Sequence, residues 1–279
     1  MATSEAIELD ISGLDVSAIL HYIQSAYKYG FDDITVKFKN TTTTNLKTNT
    51  DTPTIDAIRL TVQRLIGAEI IREKQNLCII RDISQTAPQE FDNVLRRIFI
   101  LIRDMAKDIA DGVKSGDKTL LKQMDERHDT ITKFIGFCLR LLNKKGHKDF
   151  KKTSILFHII ASLDKVTDIL KYCARKMAAL DDKPTKKLIQ LIEQTNDSLL
   201  FYYDLYYKYK DSLLLDLSRN RRFVRSELME SLEKLPRQEI VIATQYIDML
   251  EILTDLMEWR MALNHSAVQA PHKSNQTPV

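Results

Sequence analysis

Residues 162–170 read SLDKVTDIL, and residues 249–257 read MLEILTDLM. In each stretch, two acidic residues stand four positions apart within an apolar helical pattern, so both carboxylates share one helix face. The second stretch follows the first after 87 residues. Repetition at such a spacing predicts a duplicated helical unit. The two acidic pairs are Asp164 with Asp168, and Glu251 with Asp255.

The sequence around these pairs indicates two sets of three long helices. All seven glycines lie at or before Gly146, so the second half of the chain lacks the residue that most often makes tight turns. Apolar residues recur there at helical spacing. In the first set, Gly112 and Gly116 are expected to break the first helix. The predicted helices span about 91–111, 117–145 and 153–180 in the first set, and 185–208, 211–234 and 237–265 in the second.

The first 85 residues have a different pattern. Short segments of alternating apolar and polar residues predict strands, and two helical segments separate them, giving the order β-α-β-α-β-β. The threonine-rich residues 41–53 are expected to form an exposed loop. The predicted fold is therefore mostly α, with a small N-terminal α/β domain followed by two pseudo-symmetric three-helix bundles. The predicted divisions are 1–85, 86–182, 183–265 and a disordered tail at 266–279.

Composition restricts the function classes. The chain has 279 residues with 41 basic and 38 acidic side chains, and its three cysteines are too far apart to suggest a zinc or disulfide pattern. No signal peptide or membrane-spanning segment is recognisable, so a cytoplasmic location is expected. Residues 1–85 hold 9 basic and 11 acidic side chains, which gives no strong nucleic-acid signal. We find no nucleophile motif or glycine-rich phosphate loop, and therefore no basis for an enzyme.

The acidic pairs are candidate metal ligands. Asp125 and Asp129 stand on the second predicted helix, next to the helix that carries Asp164 and Asp168. Carboxylate oxygens suit hard or borderline cations, so divalent or iron metal ions are the candidate cofactors. An isolated acidic pair is more often a solvated helix face than a ligand pair. The register of the two neighbouring helices is the observation that favours metal ligands over a solvated face.

The run from Phe91 to Met177 resembles the PhoU-type phosphate uptake regulators. That resemblance implies a duplicated three-helix body in which an acidic motif on the third helix of each bundle faces a similar motif on the second helix and binds metal. The segment ending LIGAEIIRE at residues 65–73 is similar to the domain that precedes the helices in archaeal members. The implied metal ligands are Asp125, Asp129, Asp164, Asp168, Glu251 and Asp255. The implied partners are a phosphate transporter ATPase subunit or a sensor kinase.

Two features depart from the family pattern. Where the second bundle would repeat the second-helix acids, at 219–223, the sequence is RNRRF, so a complete carboxylate cage is expected only in the first bundle. Archaeal members often begin with an AbrB-like hairpin, and none precedes Ile7 here. The alternatives are a DNA-binding transcriptional regulator of phosphate genes, a metal-free helical adaptor and, least favoured, a di-metal helical-bundle enzyme. Homo-oligomer formation is compatible with all of these.

Three further features have a structural and a functional interpretation. His128 follows Asp125 at the spacing of a di-iron ligand pair, but an exposed histidine is the more common outcome. The tyrosines at 202, 203, 206 and 207 cannot all point into one core, so some are expected to form a partner surface. Arg219, Arg221, Arg222 and Arg225 form either a solvated basic face or a site for phosphate or an acidic partner.

Overall fold

The N-terminal unit is a four-stranded sheet with two helices and a hairpin. The structure is a computed structural model that describes residues 4–84, 90–231 and 233–265. The sheet has the strand order β1-β2-β6-β5, in which β1 and β2 are parallel and the other pairs are antiparallel. The elements are β1 (Ala6–Asp10), α1 (Val16–Tyr29), β2 (Asp33–Lys37), β3 (Thr42–Asn45), β4 (Thr50–Pro53), α2 (Thr54–Val62), β5 (Ala68–Lys74) and β6 (Leu77–Asp82).

The local signals in this unit act as expected. Asp15 caps α1 by accepting a hydrogen bond from the Ala18 backbone N–H, and Gly30 ends the helix at a positive φ of 126°. Alternate residues of β2, Ile34 and Val36, are buried in a core that they share with both helices. The predicted order of strands and helices is correct apart from one hairpin.

The prediction of a loop at 41–53 is wrong, because β3 and β4 pair as an antiparallel hairpin there. Threonine is β-branched and therefore suits a strand even where no apolar alternation marks it. Thr43 is buried and donates a hydrogen bond of 2.6 Å to the Leu14 carbonyl, which ties the hairpin to the start of α1. Low complexity was therefore a misleading signal for this segment.

The rest of the described chain is helical. The helices are α3 (Glu90–Ser115), α4 (Lys118–Lys122), α5 (Met124–Lys145), α6 (Phe150–Ala178), α7 (Lys186–Tyr207), α8 (Asp211–Ser231) and α9 (Arg237–Ala262). A helical break at Gly112 was predicted and is wrong, since α3 continues to Ser115. A Cβ at Gly112 would lie 3.2 Å from the Leu121 side chain, so glycine serves close packing there. The predicted break at Gly116 is correct, and φ there is +74°. The prediction of one helix over 117–145 is wrong, because the structure divides it at Gln123 into α4 and α5.

The long helices form two triplets that share one core. In the first triplet α3, α5 and α6 pack on one another, and in the second α7, α8 and α9 do the same. The triplets meet through matched helices, α3 against α7 and α6 against α9. One continuous cluster of buried apolar side chains runs through both. The predicted class, a small α/β unit followed by two helical bundles, is confirmed.

The N-terminal unit is attached to the outer side of α5. Arg140, whose side chain is only 3% exposed, donates to Asp82 Oδ2 at 2.7 Å and to the Tyr27 carbonyl at 2.8 Å. Asn143 donates to the Lys28 carbonyl at 2.7 Å, and Lys144 pairs with Asp32. Basic residues of α5 therefore hold carboxylates and helix-end carbonyls of the N-terminal unit.

Two predicted features lie outside the described residues: the division at 85/86, which falls within 85–89, and the disordered tail at 266–279. The remaining predicted divisions stay predictions. Within the described ranges, no helix is both long and apolar enough to cross a membrane.

Candidate functional site

His128 links two of the predicted metal ligands. Its Nδ1 lies 3.2 Å from Asp129 Oδ1, and its Nε2 lies 2.9 Å from Asp168 Oδ1. His128 and Asp129 stand on α5 and Asp168 stands on α6, and these two helices pack together, so the contact joins the two helices. Burial alone would lower the pKa of His128, but its hydrogen bonds to Asp129 and Asp168 outweigh burial and raise it. The predicted exposure of His128 is wrong, since its side chain is only 12% exposed.

Cationic side chains complete this network. Lys171 Nζ lies 2.8 Å from Asp168 Oδ1, and Arg64 of the N-terminal unit lies 2.5 Å from Asp129 Oδ2. Hydrogen bonds from His128 and Lys171 oppose the effect of burial and hold the pKa of Asp168 well below its usual range. Lys171 also lies 2.9 Å from His128 Nε2, but that nitrogen cannot accept from Lys171 while it donates to Asp168. The raised pKa of His128 favours the form in which both cations donate to the carboxylate.

The other two carboxylates of the first triplet have separate environments. Asp125 pairs with Arg175, whose Nε lies 2.7 Å from Asp125 Oδ1 at an exposed position. Asp164 is largely buried, and burial raises its pKa. Its Oδ1 has no hydrogen-bond partner among the described residues. The four predicted ligands thus divide into two that share His128, one in an ion pair at the surface and one largely buried carboxylate whose pKa is raised by burial.

This arrangement suits an ion-pair network better than a metal centre. Asp125, Asp129 and Asp168 each have a cationic neighbour, and burial raises the pKa of Asp164. Both conditions oppose metal binding, because ligating carboxylates must be ionised and free to coordinate. Among the described ranges, no three His, Cys, Asp or Glu side chains are grouped so that they could hold a metal ion. The metal site remains a prediction.

The second triplet shows a related contact. Arg221 on α8 donates from Nε to Glu251 Oε2 on α9 at 3.0 Å, and Arg225 donates to Oε1 at 3.2 Å. Nearby carboxylates, Glu251 first, raise the pKa of Arg221, and Asp255 contributes through its charge. In both triplets, an acidic residue of the third helix is therefore held by a basic residue of the second helix. Arg221 belongs to the 219–223 segment, where the family resemblance implied acids and the sequence has RNRRF.

Sequence reasoning missed most of the cations in these networks. Lys171 stands three residues after Asp168, which is a recognisable helical ion-pair spacing. Arg64 and Arg140 reach their partners across 65 and 58 residues, and no local pattern signals such contacts.

The tyrosine-rich end of α7 is a second candidate surface. Tyr202 is buried, Tyr203 and Tyr206 are half-buried, and Tyr207 is 37% exposed. All four rings lie within 4.9 to 6.0 Å of the Phe99 ring on α3, measured between centroids. The prediction that these tyrosines cannot all be buried agrees with this distribution, and Tyr207 is the most exposed of them.

No family model matches the chain, and no curated protein matches it. Among solved structures, the chain is similar to the phosphate transport system regulatory protein PhoU from Streptococcus pneumoniae. The TM-score is 0.47 and the sequence identity is 12%, over 63% of this chain and 93% of that one.

Proposed function

We propose that the chain is a non-enzymatic regulator of phosphate uptake or phosphate signalling that acts through protein–protein contact. The proposal combines the sequence resemblance with one structural observation. Acidic pairs stand at matching places on α6 and α9, and each is contacted from the second helix of its own triplet, by His128 and by Arg221. The matching positions of these two pairs support the proposal. The proposed partners are a phosphate transporter ATPase subunit or a sensor kinase.

The chemistry of the site supports contact rather than catalysis as its role. The polar groups between α5 and α6 are joined into ion pairs, which fix the relative position of the two helices. Arg64 extends the same network into the N-terminal unit through Asp129. A partner that disturbs the N-terminal unit would therefore also disturb the polar layer of the first triplet.

Deletion in the native host tests the proposed function. We expect cells that lack the protein to take up labelled phosphate faster than wild type at high external phosphate, because the proposed control is negative. Affinity purification with quantitative mass spectrometry should enrich the transporter ATPase subunit or the sensor kinase. Unchanged uptake together with no enrichment of either partner would refute the proposal.

The contact surface is tested with matched tyrosine variants. Tyr207→Ala should weaken recovery of the partner and leave the melting temperature nearly unchanged, since this side chain is partly exposed. Tyr22→Ala, at 43% exposure on the N-terminal unit, is the control and should change neither. If Tyr207→Ala lowers the melting temperature by several degrees and keeps the partner, then Tyr207 belongs to the core.

Metal dependence is tested separately from partner binding. If the acidic face holds divalent or iron metal ions, the purified protein should lose metal on the double substitution Asp164→Asn/Asp168→Asn. Equal metal content in the two proteins would place any bound metal elsewhere.

A further inference from the structure

The outer face of α8 is the counterpart of the α5 face that carries the N-terminal unit. Buried apolar residues fix the register between the two helices: Ile131, Cys138 and Leu142 of α5 precede Leu217, Val224 and Leu228 of α8 by 86 residues each. Adding 86 to the number of each α5 residue that meets the N-terminal unit gives its counterpart on α8. Those residues are Asp129, Lys133, Gly136, Arg140 and Asn143, and the buried Phe137 follows Gly136 directly in α5. The residues at the same spacing on α8, here named the α8 outer face, are Leu215, Arg219, Arg222, Phe223, Ser226 and Met229.

No part of the described chain covers the α8 outer face. Helix α8 packs on α7 and α9 alone among the described elements with substantial contacts, whereas α5 is also covered by α1. Leu215, Phe223 and Met229 are 56%, 49% and 63% exposed. Single exposed apolar residues are common on protein surfaces and lie on different faces of a helix. Three large apolar side chains on one exposed face therefore indicate an interaction surface.

The charge of this face selects the kind of partner. Arg222 is exposed and makes no ion pair or hydrogen bond within the described ranges. With Arg221, Arg225 and Met229 it lines a groove of about 580 Å³. Arg221 and Arg225 share Glu251, and Arg219 lies 3.9 Å from Asp216, so Arg222 is the cation left to pair with an incoming carboxylate.

The N-terminal unit provides an internal example of such pairing. On α5, Arg140 holds Asp82 and Lys144 holds Asp32, and Phe137 of the same helix is buried. On α8, Phe223, the counterpart of Phe137, follows Arg222 directly in the sequence and is 49% exposed. A second copy of this chain is a poor occupant through the same face, because two such faces would bring their arginines together.

We propose that the α8 outer face binds a protein partner through an acidic, amphipathic segment, with a carboxylate on Arg222 and apolar side chains on Phe223 and Met229. Helix α8 has 21 residues, so the face is about 32 Å long. One helix face offers an interface at the small end of the usual range, which fits a transient regulatory contact. The inference holds whether or not the partner belongs to phosphate transport.

Site-specific photo-crosslinking in native cells tests the proposal. The full chain carries p-benzoylphenylalanine in place of Phe223, and a control carries it in place of Phe150, which is 85% exposed at the start of α6. We expect a protein crosslinked at 223 and not at 150, through a peptide rich in Asp and Glu. No crosslink above the control, a crosslink to a second copy of this chain, or one through a basic or neutral segment would each overturn the proposal.

Binding by the purified partner supplies the second measurement. Arg222→Glu and Phe223→Ala should each weaken binding at least about tenfold, since arginine and aromatic residues dominate interface energies. Arg72→Glu, on the exposed strand β5, is the matched charge reversal and should bind as wild type does. Melting temperatures near the wild-type value confirm that the variants fold, because these side chains are exposed. Wild-type affinity in Arg222→Glu would overturn the proposal.

Discussion

Loss of the Arg140 side chain should greatly weaken the attachment of the N-terminal unit to the helices. Arg140 is nearly inaccessible, and it makes two bonds to Asp82, of 2.7 and 3.2 Å, and one of 2.8 Å to the Tyr27 carbonyl. Its guanidinium also lies 4.9 Å from the centre of the Tyr27 ring. Removing one member of a buried ion pair costs about 3–5 kcal/mol, because the remaining charge is left without its partner.

We expect Arg140→Ala to cost about 3 kcal/mol, at the lower end of that range. Asp82 keeps hydrogen bonds from the backbone N–H and hydroxyl of Ser84, and Lys144 remains 3.9 Å away. The Asp82 carboxylate therefore keeps part of its stabilisation. The assay is urea denaturation followed by circular dichroism. The control is Arg81→Ala, which breaks a more exposed pair with Asp33 and should cost less than about 1 kcal/mol.

A loss below about 1 kcal/mol for Arg140→Ala, or equal losses in the two variants, would refute the reasoning. The double variant Asp82→Ala/Arg140→Ala sharpens the comparison, since it removes both charges. It should be less destabilised than the sum of the two single variants, because each single variant leaves a buried charge behind.

The same contact predicts a pH dependence. Burial alone would raise the pKa of Asp82, but hydrogen bonds from Ser84 and Arg140 outweigh it and lower the pKa. A lowered folded-state pKa contributes stability that is present above the unfolded value and is lost as the pH falls through the folded value. Wild type should therefore lose stability below about pH 4 more steeply than Asp82→Asn does. Parallel acid-denaturation curves would contradict this.

The remaining predictions concern polar groups in the helical body. Asp168→Asn should destabilise the protein by about 2–4 kcal/mol, because it leaves the largely buried Lys171 without its carboxylate and His128 with Asp129 alone. Asp164→Asn should change stability little, because the Asp164 Oδ1 has no partner within the described residues. Equal losses in these two variants, or a chelator that lowers the wild-type melting temperature, would favour a metal site instead. Tyr202→Phe should raise stability by up to about 1 kcal/mol, since it removes a buried hydroxyl that has no hydrogen-bond partner among the described residues. Urea denaturation measures this, and a loss of that size would show that the hydroxyl does have a hydrogen-bond partner.

Local signals explain why the element order was predictable. The cap at Asp15, the turn at Gly30 and the helix ends at Gly146 and near Lys210 depend on residues a few positions apart, and the structure has each of them. The break between α7 and α8 lacks glycine and proline, yet the helical periodicity on its two sides was sufficient to predict it. The hairpin at Thr42–Asn45 and Thr50–Pro53 was missed, because its threonines are stabilised by pairing and by the distant Leu14 carbonyl.

The candidate site was only partly predictable for the same reason. The acidic pairs and their placement on neighbouring helices follow from helical spacing, and the structure does bring Asp129 and Asp168 to one histidine. The charges that neutralise them do not follow from spacing alone. Arg64 comes from a different part of the fold, and it reaches Asp129 only because the N-terminal unit packs on α5.

The sequence by itself determined the helices, their duplication and the face on which each acidic pair lies, since these depend on periodicity and on interactions within a few residues. Only the tertiary structure decided which cations meet those acids, that α5 is covered by the N-terminal unit, and that the α8 outer face is left exposed. Ion pairs and covered faces depend on which distant segments come into contact. The packing of the whole chain decides that, and no local pattern records it.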